Sequence, residues 1–330
     1  MGPRLLRAFR MDRGNKVVFG LFLATFTYCL RVLRAIGTDG DRPFVPEVGV
    51  IGAVGLAIDC VGGLVWFVHH AASSVDVMHV IAGVHRDALT ALREASVPFG
   101  EPEEPGPDLT GPFSLALSDR GGYVQTVDRA RLLRRASASG LSVRLLVRPG
   151  DYVPIHGPIA EVRPPVALKV ADSLVIGERR TPDDDPEFAI RQLVEIAVRA
   201  LSPAINDPYT AIAVLDRLGD AACSLRGRRL EGTRTGRAGS GCVTVPGTDA
   251  DGLIDAMFLL VVQNGGRSPV VVIHALEILA SVAECWDDPD ARREVLRIAD
   301  EAVALASGCD MHPRDVADVR ERAARLDRFR

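Results

Sequence analysis

The run VGVIGAVGLAIDCVGGLVWFV, residues 48–68, decides the class of this protein. Its 21 residues contain one charge, Asp59, and a transmembrane helix needs about 20 predominantly apolar residues. Gly52 and Gly55 are three residues apart, so both lie near one face of a helix, where small residues let a second helix approach closely. We therefore expect a membrane-spanning helix that packs against another helix.

A second apolar run precedes this one, from Val17 to Leu30. It reaches the length of a span if Arg31 and Arg34 extend to the interface, where Tyr28 also belongs. No small-x-small cleavage pattern follows it, which favours a retained span over a signal peptide. The two runs predict a helical hairpin with spans at about 17–36 and 48–68, joined by a short polar turn.

Basic residues near the spans predict the orientation of the hairpin. Five precede the first span and three lie in the turn: Arg4, Arg7, Arg10, Arg13 and Lys16 against Arg31, Arg34 and Arg42. By the positive-inside rule the N-terminus is cytoplasmic, and the hairpin returns the chain to the cytoplasm. We expect a multi-pass membrane protein with a cytoplasmic soluble domain. Its expected partners are the lipid bilayer and either a second copy or another membrane protein.

Asp59, with Arg31 and Arg34, forms the set of polar groups expected within the membrane. A charge at bilayer depth costs about 2.5–3.5 kcal/mol on insertion scales, so such residues usually face protein or water. Asp59 is either a proton or cation relay in an oligomer, or a neutral carboxyl, or a partner of Arg31 or Arg34 across the hairpin.

The composition of the chain excludes several classes of function. A net charge of −4 gives no reason to expect nucleic acid as a partner, since that requires a basic surface. None of the six cysteines forms a CxxC pair or lies at zinc-ligand spacing, so we expect reduced thiols, no metal site and no cofactor. Known catalytic motifs are also missing, which favours a role other than catalysis.

The patterns predict a membrane-anchored α+β protein of four parts. These are a transmembrane hairpin (1–72), a helix with a Pro-rich linker (73–112), a β-rich module (113–177) and a helical domain (178–330). Strands are predicted at 113–117, 123–127, 143–147 and 166–170. Residues 150–162 resemble half of a biotinyl- or lipoyl-type barrel-sandwich. The attachment Lys of those domains is missing, so no covalent carrier role is implied.

Two segments of the helical domain begin alike, with Asp185-Pro186 and Asp207-Pro208. Asp is a strong N-cap and Pro suits the first helical position, so each pair predicts the start of a helix. Further helices are predicted at 73–97, 249–263, 268–286, 289–307 and 313–329. The Gly- and Arg-rich segment 227–247 is predicted to be a mobile loop.

The segment that contains these two helix starts is also the candidate binding site. Its polar residues are Arg179, Arg180, Asp183, Asp184, Asp185, Arg191, Ser202, Asn206 and Asp207. If the two helix N-termini converge, they form a polar pocket suited to an anion, whereas the acidic run offers oxygen ligands for a divalent cation. Alternatively, these residues cap the helices and orient them.

Two stretches of the chain resemble a known family. The first includes Asp12-Arg13-Gly14-Asn15 and the segment 26–34, and the second runs from Glu178 to Phe188 and continues through 200–211. Together they are similar to the bacterial predicted-membrane-protein family known as domain of unknown function 2254. The resemblance implies two further spans ahead of the region where this chain begins, and an even number of added spans leaves the orientation unchanged. It also implies a location in the bacterial inner (plasma) membrane, and it implies no activity.

Three functions therefore remain open from the sequence. The first is an assembly, sensing or regulatory module at the membrane. The second is an oligomeric ion or proton transport component that uses Asp59. The third is a membrane-tethered, metal-assisted enzyme that uses segment 179–207.

Overall fold

The computed structural model describes residues 13–39, 42–74, 77–100, 106, 110–182, 184–286 and 288–330. The chain divides into two compact units, Met1–Val80 and Ile81–Arg330. The first unit contains an antiparallel pair of helices and the second an arrangement of mixed sheets and many helices. The α+β layout predicted from the sequence is therefore present.

The first unit is a helical hairpin. It contains α1 (Arg13–Ala35), the short antiparallel strands β1 (Gly37–Asp39) and β2 (Arg42–Phe44), and α2 (Glu47–Ser74). Stretches of 19 and 21 residues in these helices, Val17–Ala35 and Glu47–Phe67, are long and apolar enough to cross a membrane. The two helices predicted from the apolar runs are confirmed.

Glycines on α2 allow the two helices of the hairpin to pack closely. A Cβ atom at Gly52 would lie 2.7 Å from the Tyr28 hydroxyl oxygen, and one at Gly63 would lie 3.3 Å from Leu21. The Cys60 thiol donates to the Thr25 hydroxyl at 3.2 Å in the same interface. Gly55, three residues after Gly52, instead has open space around it, so only Gly52 of this pair contacts α1.

The second unit contains the remaining elements, with α3 beginning just before its boundary. In chain order these are α3 (Val77–Ala95), β3 (Ser96–Pro98), β4 (Ser114–Leu117), β5 (Gly122–Val127), α4 (Arg129–Ala138), β6 (Ser142–Leu145), β7 (Tyr152–Val153), β8 (Pro158–Arg163), β9 (Leu174–Gly177), α5 (Glu187–Ala200), α6 (Pro208–Cys223), β10 (Arg228–Leu230), β11 (Thr233–Ala238), β12 (Gly241–Pro246), α7 (Ala250–Gly265), α8 (Pro269–Cys285), α9 (Pro289–Gly308) and α10 (Pro313–Ala324). Single 3-10 turns lie at Ala171–Ser173 and Asp327–Phe329.

Two sheets enclose the β-rich core. One has five strands in the order β11-β12-β6-β8-β4, and the other has three in the order β7-β5-β9. Their buried residues form one cluster, to which α4 contributes Leu132 and Ala136. The two strands of segment 150–162 lie in different sheets, which fits a sandwich, but the closer likeness to a barrel-sandwich remains a prediction.

The observed strands differ from the predicted ones in two segments. Segment 166–170 is irregular, and two prolines, Pro164 and Pro165, directly precede it. Segment 227–247 is not a mobile loop, because it contains β10, β11 and β12, and β12 pairs in parallel with β6. The other predicted strands are present as β4, β5 and β6, with their ends shifted by one or two residues.

The helices α5 to α10 and most of α3 surround a second core, in which Phe258 is fully buried. A helix is present at each expected place, although the one predicted at 73–97 is shorter, because α3 spans Val77–Ala95 and Ser96–Pro98 form β3. The last one is shorter than predicted, because α10 ends at Ala324 and a 3-10 turn follows. The strands β10 to β12 lie between α6 and α7 in the chain, so this part is not wholly helical.

Gly241, at the start of β12, is required by packing rather than by mobility. A Cβ atom at this position would overlap the backbone of Ser137 in α4, whereas one at Gly236 would make an ordinary 3.5 Å contact with Leu133. We predict that Gly241→Ala destabilises the second unit by about 1–3 kcal/mol, the usual cost of overpacking. Gly236→Ala is the matched control and should change stability much less.

Thermal unfolding of the full chain in mild detergent measures this difference. Each 1 kcal/mol lowers the Tm of a unit of 150–250 residues by about 2–4 °C. Equal Tm values for the two variants would show that α4 does not pack on β12 as described.

Candidate functional site

Two buried carboxylates lie at the start of α5. Asp185 and Glu187 are each only 3% exposed. Asp185 Oδ2 is 2.6 Å from Nη2 of Arg180, and the two oxygens of Glu187 are each 2.7 Å from an arginine Nη2, Oε1 from Arg148 and Oε2 from Arg191. These five residues are called the buried ion cluster below.

The cluster joins three separate segments of the second unit. Arg148 lies in the turn after β6, where its backbone N–H donates to Asp151 at 3.0 Å. Its Nη1 donates at 3.0 Å to the Gly247 carbonyl and to the Thr248 hydroxyl, and that hydroxyl donates to Glu187 at 3.3 Å. The cluster therefore links the β6–β7 turn, the start of α5 and the segment before α7.

Gly150 completes the packing around the cluster. Its φ is +94°, and a Cβ atom there would lie 2.5 Å from Oδ2 of Asp185. Glycine is the residue that adopts this backbone conformation without strain. The sequence Arg148-Pro149-Gly150-Asp151 thus brings a guanidinium and a bare backbone against the same ion pair.

The two carboxylates respond differently to burial. Burial alone would raise the pKa of Glu187, but Arg148 and Arg191 overcome this effect, and its pKa lies below the usual value. For Asp185, burial dominates over the Arg180 guanidinium, and its pKa lies above the usual value. Glu187 is thus the more firmly ionised of the two.

The structure separates the nine candidate residues into two groups. Arg180, Asp185 and Arg191 belong to the buried ion cluster. Arg179 lies beside it, where its carbonyl accepts a 2.8 Å hydrogen bond from Gln125, and Asp184 is exposed with a φ of +56°. Asp183 lies outside the described residues.

The other three candidates lie at the opposite end of α5. Asp207 caps α6 and accepts hydrogen bonds from the backbone N–H and the hydroxyl of Thr210, at 3.2 and 2.6 Å. Ser202 donates its hydroxyl to the Arg199 carbonyl at 2.7 Å, and Asn206 adopts a left-handed conformation with φ +50°. These residues shape the turn between α5 and α6.

The expectation that two helix N-termini converge is therefore wrong. The Asp207 N–H donates to the Ala200 carbonyl at 2.8 Å, which fixes the start of α6 at the C-terminal end of α5. The 14 residues of α5 span about 20 Å at 1.5 Å per residue. The two N-termini thus lie at opposite ends of one helix and form no shared pocket.

The candidate residues predicted from the sequence did not include Arg148, Glu187 or Thr248. Arg148 is 39 residues ahead of Glu187 in the chain and Thr248 is 61 residues after it. No local motif connects such positions. The one available signal was the turn sequence Arg148-Pro149-Gly150-Asp151, which marks the end of a strand but does not identify the partner of Arg148.

The polar residues of the hairpin lie on its surface and do not pair. Asp59 is adjacent to Cys60, which contacts Thr25, whereas Arg31 lies six residues beyond Thr25, or about 9 Å along α1. Among the described residues no ion pair joins Asp59 to Arg31 or Arg34, and all three are exposed. The pairing across the hairpin that we considered from the sequence is not formed.

The arrangement favours an orienting role for the buried ion cluster. Each carboxylate is already bound by one or two guanidinium groups at 2.6–2.7 Å, so its oxygens are occupied. Within the described part of the chain, no three His, Cys, Asp or Glu residues come together as metal ligands.

A family model described as a predicted membrane protein, domain of unknown function 2254, matches residues 1–281. This chain belongs to that family. Membership in the 2254 family confirms the resemblance drawn from the motifs at 12–34 and 178–211, and it accords with the two candidate spans of the hairpin.

Curated relatives of this 2254-family chain occur in mycobacteria. Uncharacterised proteins of Mycobacterium tuberculosis (strains H37Rv and CDC 1551) and Mycobacterium bovis are 31% identical over 312 residues, which cover 88% of this chain. The alignment covers 58% of each relative, so this chain spans less than two thirds of their length. No solved structure matches the chain.

The buried ion cluster makes a testable contribution to stability. We predict that Glu187→Gln, which keeps the shape of the side chain but removes its charge, lowers the free energy of unfolding by about 1.5–3 kcal/mol. This is the range for a hydrogen bond to a charged group. Glu195→Gln is the matched control on the same helix, because its ion pair with Arg199 is exposed and worth at most about 0.5 kcal/mol.

The pH dependence of this difference follows from the pKa of Glu187. That pKa is lower in the folded state than its ordinary value of 4.5. The stabilisation is therefore fully present above the ordinary value and is lost as the pH falls through the lower folded-state value. Tm values of parent and Glu187→Gln measured from pH 7 to pH 3 should converge at the acid end, and a constant difference would contradict the prediction.

Proposed function

We propose that this 2254-family chain is an integral protein of the bacterial inner membrane whose cytoplasmic second unit acts through assembly, sensing or regulation and not through catalysis. The observation that carries the proposal is the surface of the hairpin. Val48 is 84% exposed, Ile51 71% and Val17 70%. Soluble proteins rarely leave a continuous apolar surface of this kind in water, whereas a bilayer is its natural surroundings.

The preference for assembly rests on one flank of α2 that α1 leaves open. Gly55, Asp59 and Gly62 follow one another at helical spacing on this flank. Neither glycine has a neighbour that a Cβ atom would meet within 4 Å, and Asp59 is exposed. A carboxyl at bilayer depth is expensive unless it faces protein or water, and small residues favour close helix approach. A second copy of the hairpin supplies a protein surface for Asp59 and a helix that can approach Gly55 and Gly62.

A matching surface follows α1. A shallow open groove is lined by Gly20, Leu23, Ala24, Thr27, Tyr28 and Arg31. Its small residues would admit a helix, and Arg31 carries the charge opposite to Asp59. These features support packing between the α2 flank of one copy and the α1 groove of the next.

The preference for a non-catalytic role rests on the buried ion cluster. Its carboxylates and guanidinium groups bind one another, and together they hold the β6–β7 turn against α5. Such a cluster suits a unit that must keep a fixed shape while it is recognised.

Membrane insertion and orientation form the first test. We expect the full chain expressed in bacteria to remain in the membrane fraction after alkaline carbonate washing. A C-terminal green fluorescent protein fusion should fluoresce and an alkaline phosphatase fusion should be inactive, since both report a cytoplasmic C-terminus. Release by carbonate would contradict insertion, and an active phosphatase fusion would reverse the orientation.

Oligomerisation through the open flank of α2 is the second test. We predict that Gly55→Leu with Gly62→Leu shifts the protein in mild detergent from an oligomer toward a monomer, because two large side chains block close approach. Ala57→Leu, a small-to-large change on a different face of the same exposed helix, is the control and should leave the oligomer intact. Light scattering coupled to size-exclusion chromatography measures both, and a monomeric parent protein would refute the proposal.

Transport is the second candidate function, and the exposed position of Asp59 in α2 favours it. Two spans cannot enclose a pathway, so this function also requires an oligomer. We predict that Asp59→Asn abolishes proton or cation flux into liposomes that contain the parent protein, since the neutral amide cannot carry the ion. Unchanged flux in Asp59→Asn, or no flux in the parent, would eliminate this candidate.

A further inference from the structure

Opposite charges are concentrated in two parts of the second unit. The β-module, defined here as residues 110–182 and 228–247, contains 15 Lys and Arg against 7 Asp and Glu. The rest of the unit from residue 183 onward, segments 183–227 and 248–330, contains 14 against 24. The net charge of the whole chain conceals this separation.

The basic residues of the β-module include three on the outward side of α4. The inward side carries Leu132 and Ala136, which are fully buried in the β-rich core. Residues 131, 134 and 135 are spaced by three and four, so their side chains lie together on the opposite side. Arg131 and Arg134 are exposed and Arg135 is half-buried.

Arg135 brings a fourth basic residue to this surface. Its Nη1 donates to the Lys169 carbonyl at 2.7 Å, and its Nη2 donates to Asp172 at 3.0 Å. These bonds hold the segment before the 3-10 turn against α4, and the Lys169 side chain is exposed. Arg131, Arg134, Arg135 and Lys169 are called the basic face below.

One charge of the basic face, that of Arg135, is paired with Asp172, whereas those of Arg131 and Arg134 are not paired within the described part of the protein. Arginines elsewhere in the unit are commonly paired, as in Arg297, which contacts Asp255, Glu294 and Glu301. A surface with unpaired arginines has its donors available for an external anion.

We propose that the basic face binds the phosphate-bearing headgroups of anionic lipids, an inference that rests on the proposed function in so far as the hairpin lies in a bilayer. Charge complementarity argues for this ligand, because the cytoplasmic leaflet is negatively charged and attracts basic segments. Arginine also binds phosphate through two parallel hydrogen bonds.

Tethering explains how so small a surface suffices. Each basic residue near an anionic leaflet raises the binding constant about fivefold. Four such residues would bind only weakly if the protein were free in solution. The hairpin keeps the second unit close to the membrane, so that binding becomes an intramolecular event with a high effective concentration. Binding through the basic face then determines which side of the β-module contacts the bilayer. This orientation depends on the charge of the lipids.

Arginine footprinting of the full chain in lipid nanodiscs tests the proposal. Phenylglyoxal modifies exposed arginines, and mass spectrometry gives the rate at each one. We expect Arg131 and Arg134 to react roughly fivefold or more slowly in nanodiscs with anionic phosphatidylglycerol than in neutral phosphatidylcholine, in keeping with the gain per basic residue. Salt at about 1 M should remove this protection, because it screens exposed charges.

Arg314 and Arg320 on α10 are internal controls, since both are exposed but acidic residues surround them in the chain. Their rates should be the same in both lipids. The variant Arg131→Gln should weaken the lipid-dependent protection of Arg134, whereas Arg314→Gln with Arg320→Gln should leave it unchanged. Equal rates for Arg131 and Arg134 in the two lipids would overturn the proposal.

Two further arms separate this proposal from others. A chain that fails to enter neutral nanodiscs contradicts the proposed membrane insertion, whereas a chain that enters them but shows no lipid-dependent protection contradicts only the lipid inference. Duplex oligonucleotide and inorganic phosphate are added separately to neutral nanodiscs. Stronger protection by either one than by phosphatidylglycerol would assign the basic face to nucleic acid or to a free anion, and the lipid proposal would be wrong.

Discussion

The carboxylate of Glu187 is the point on which the second unit depends. It lies between Arg148 and Arg191, at 2.7 Å from each, and thereby joins the β-rich core to the helical core. Removing an ion from water is costly, so a buried carboxylate persists only where its partners are in good geometry. Three segments that are distant in the chain must meet correctly for this geometry to form. The cluster is therefore a constraint on how the two cores are oriented, beyond what apolar packing specifies.

Features encoded within short segments could be predicted from the sequence. The apolar runs predicted α1 and α2, and the Asp-Pro pair at 207–208 predicted the cap and the first turn of α6, because a cap uses only neighbouring residues. The start of α5 was predicted at the same kind of pair, although there Asp185 accepts from the Glu187 N–H and also binds Arg180. The cap prediction was thus correct at Asp207 but not at Asp185, because α5 begins at Glu187, the N-cap position is Pro186, and Asp185 is instead bound to Arg180.

Features that depend on distant partners could not be predicted. The glycines of segment 227–247 suggested a loop, yet Gly241 is needed because α4 packs directly on it, and β12 finds its partner in β6. The candidate site failed for the same reason. Its residues are close in sequence, but a helix of 14 residues separates them, while Arg148 and Thr248 reach Glu187 from elsewhere. The helix α4 was not predicted at all within the β-rich module, so the side on which its arginines lie could not be identified.

The parallel pairing of β12 with β6 has a consequence for synthesis of the chain. Ser142 pairs with Cys242, so β6 leaves the ribosome 100 residues before its partner. At about 5–20 residues per second this delay lasts roughly 5–20 s. During that time one edge of β6 is open, and the nascent chain is already held at the membrane if the hairpin has inserted. The β-module therefore cannot mature as its strands emerge, and a fragment ending near residue 180 would lack both β11 and β12.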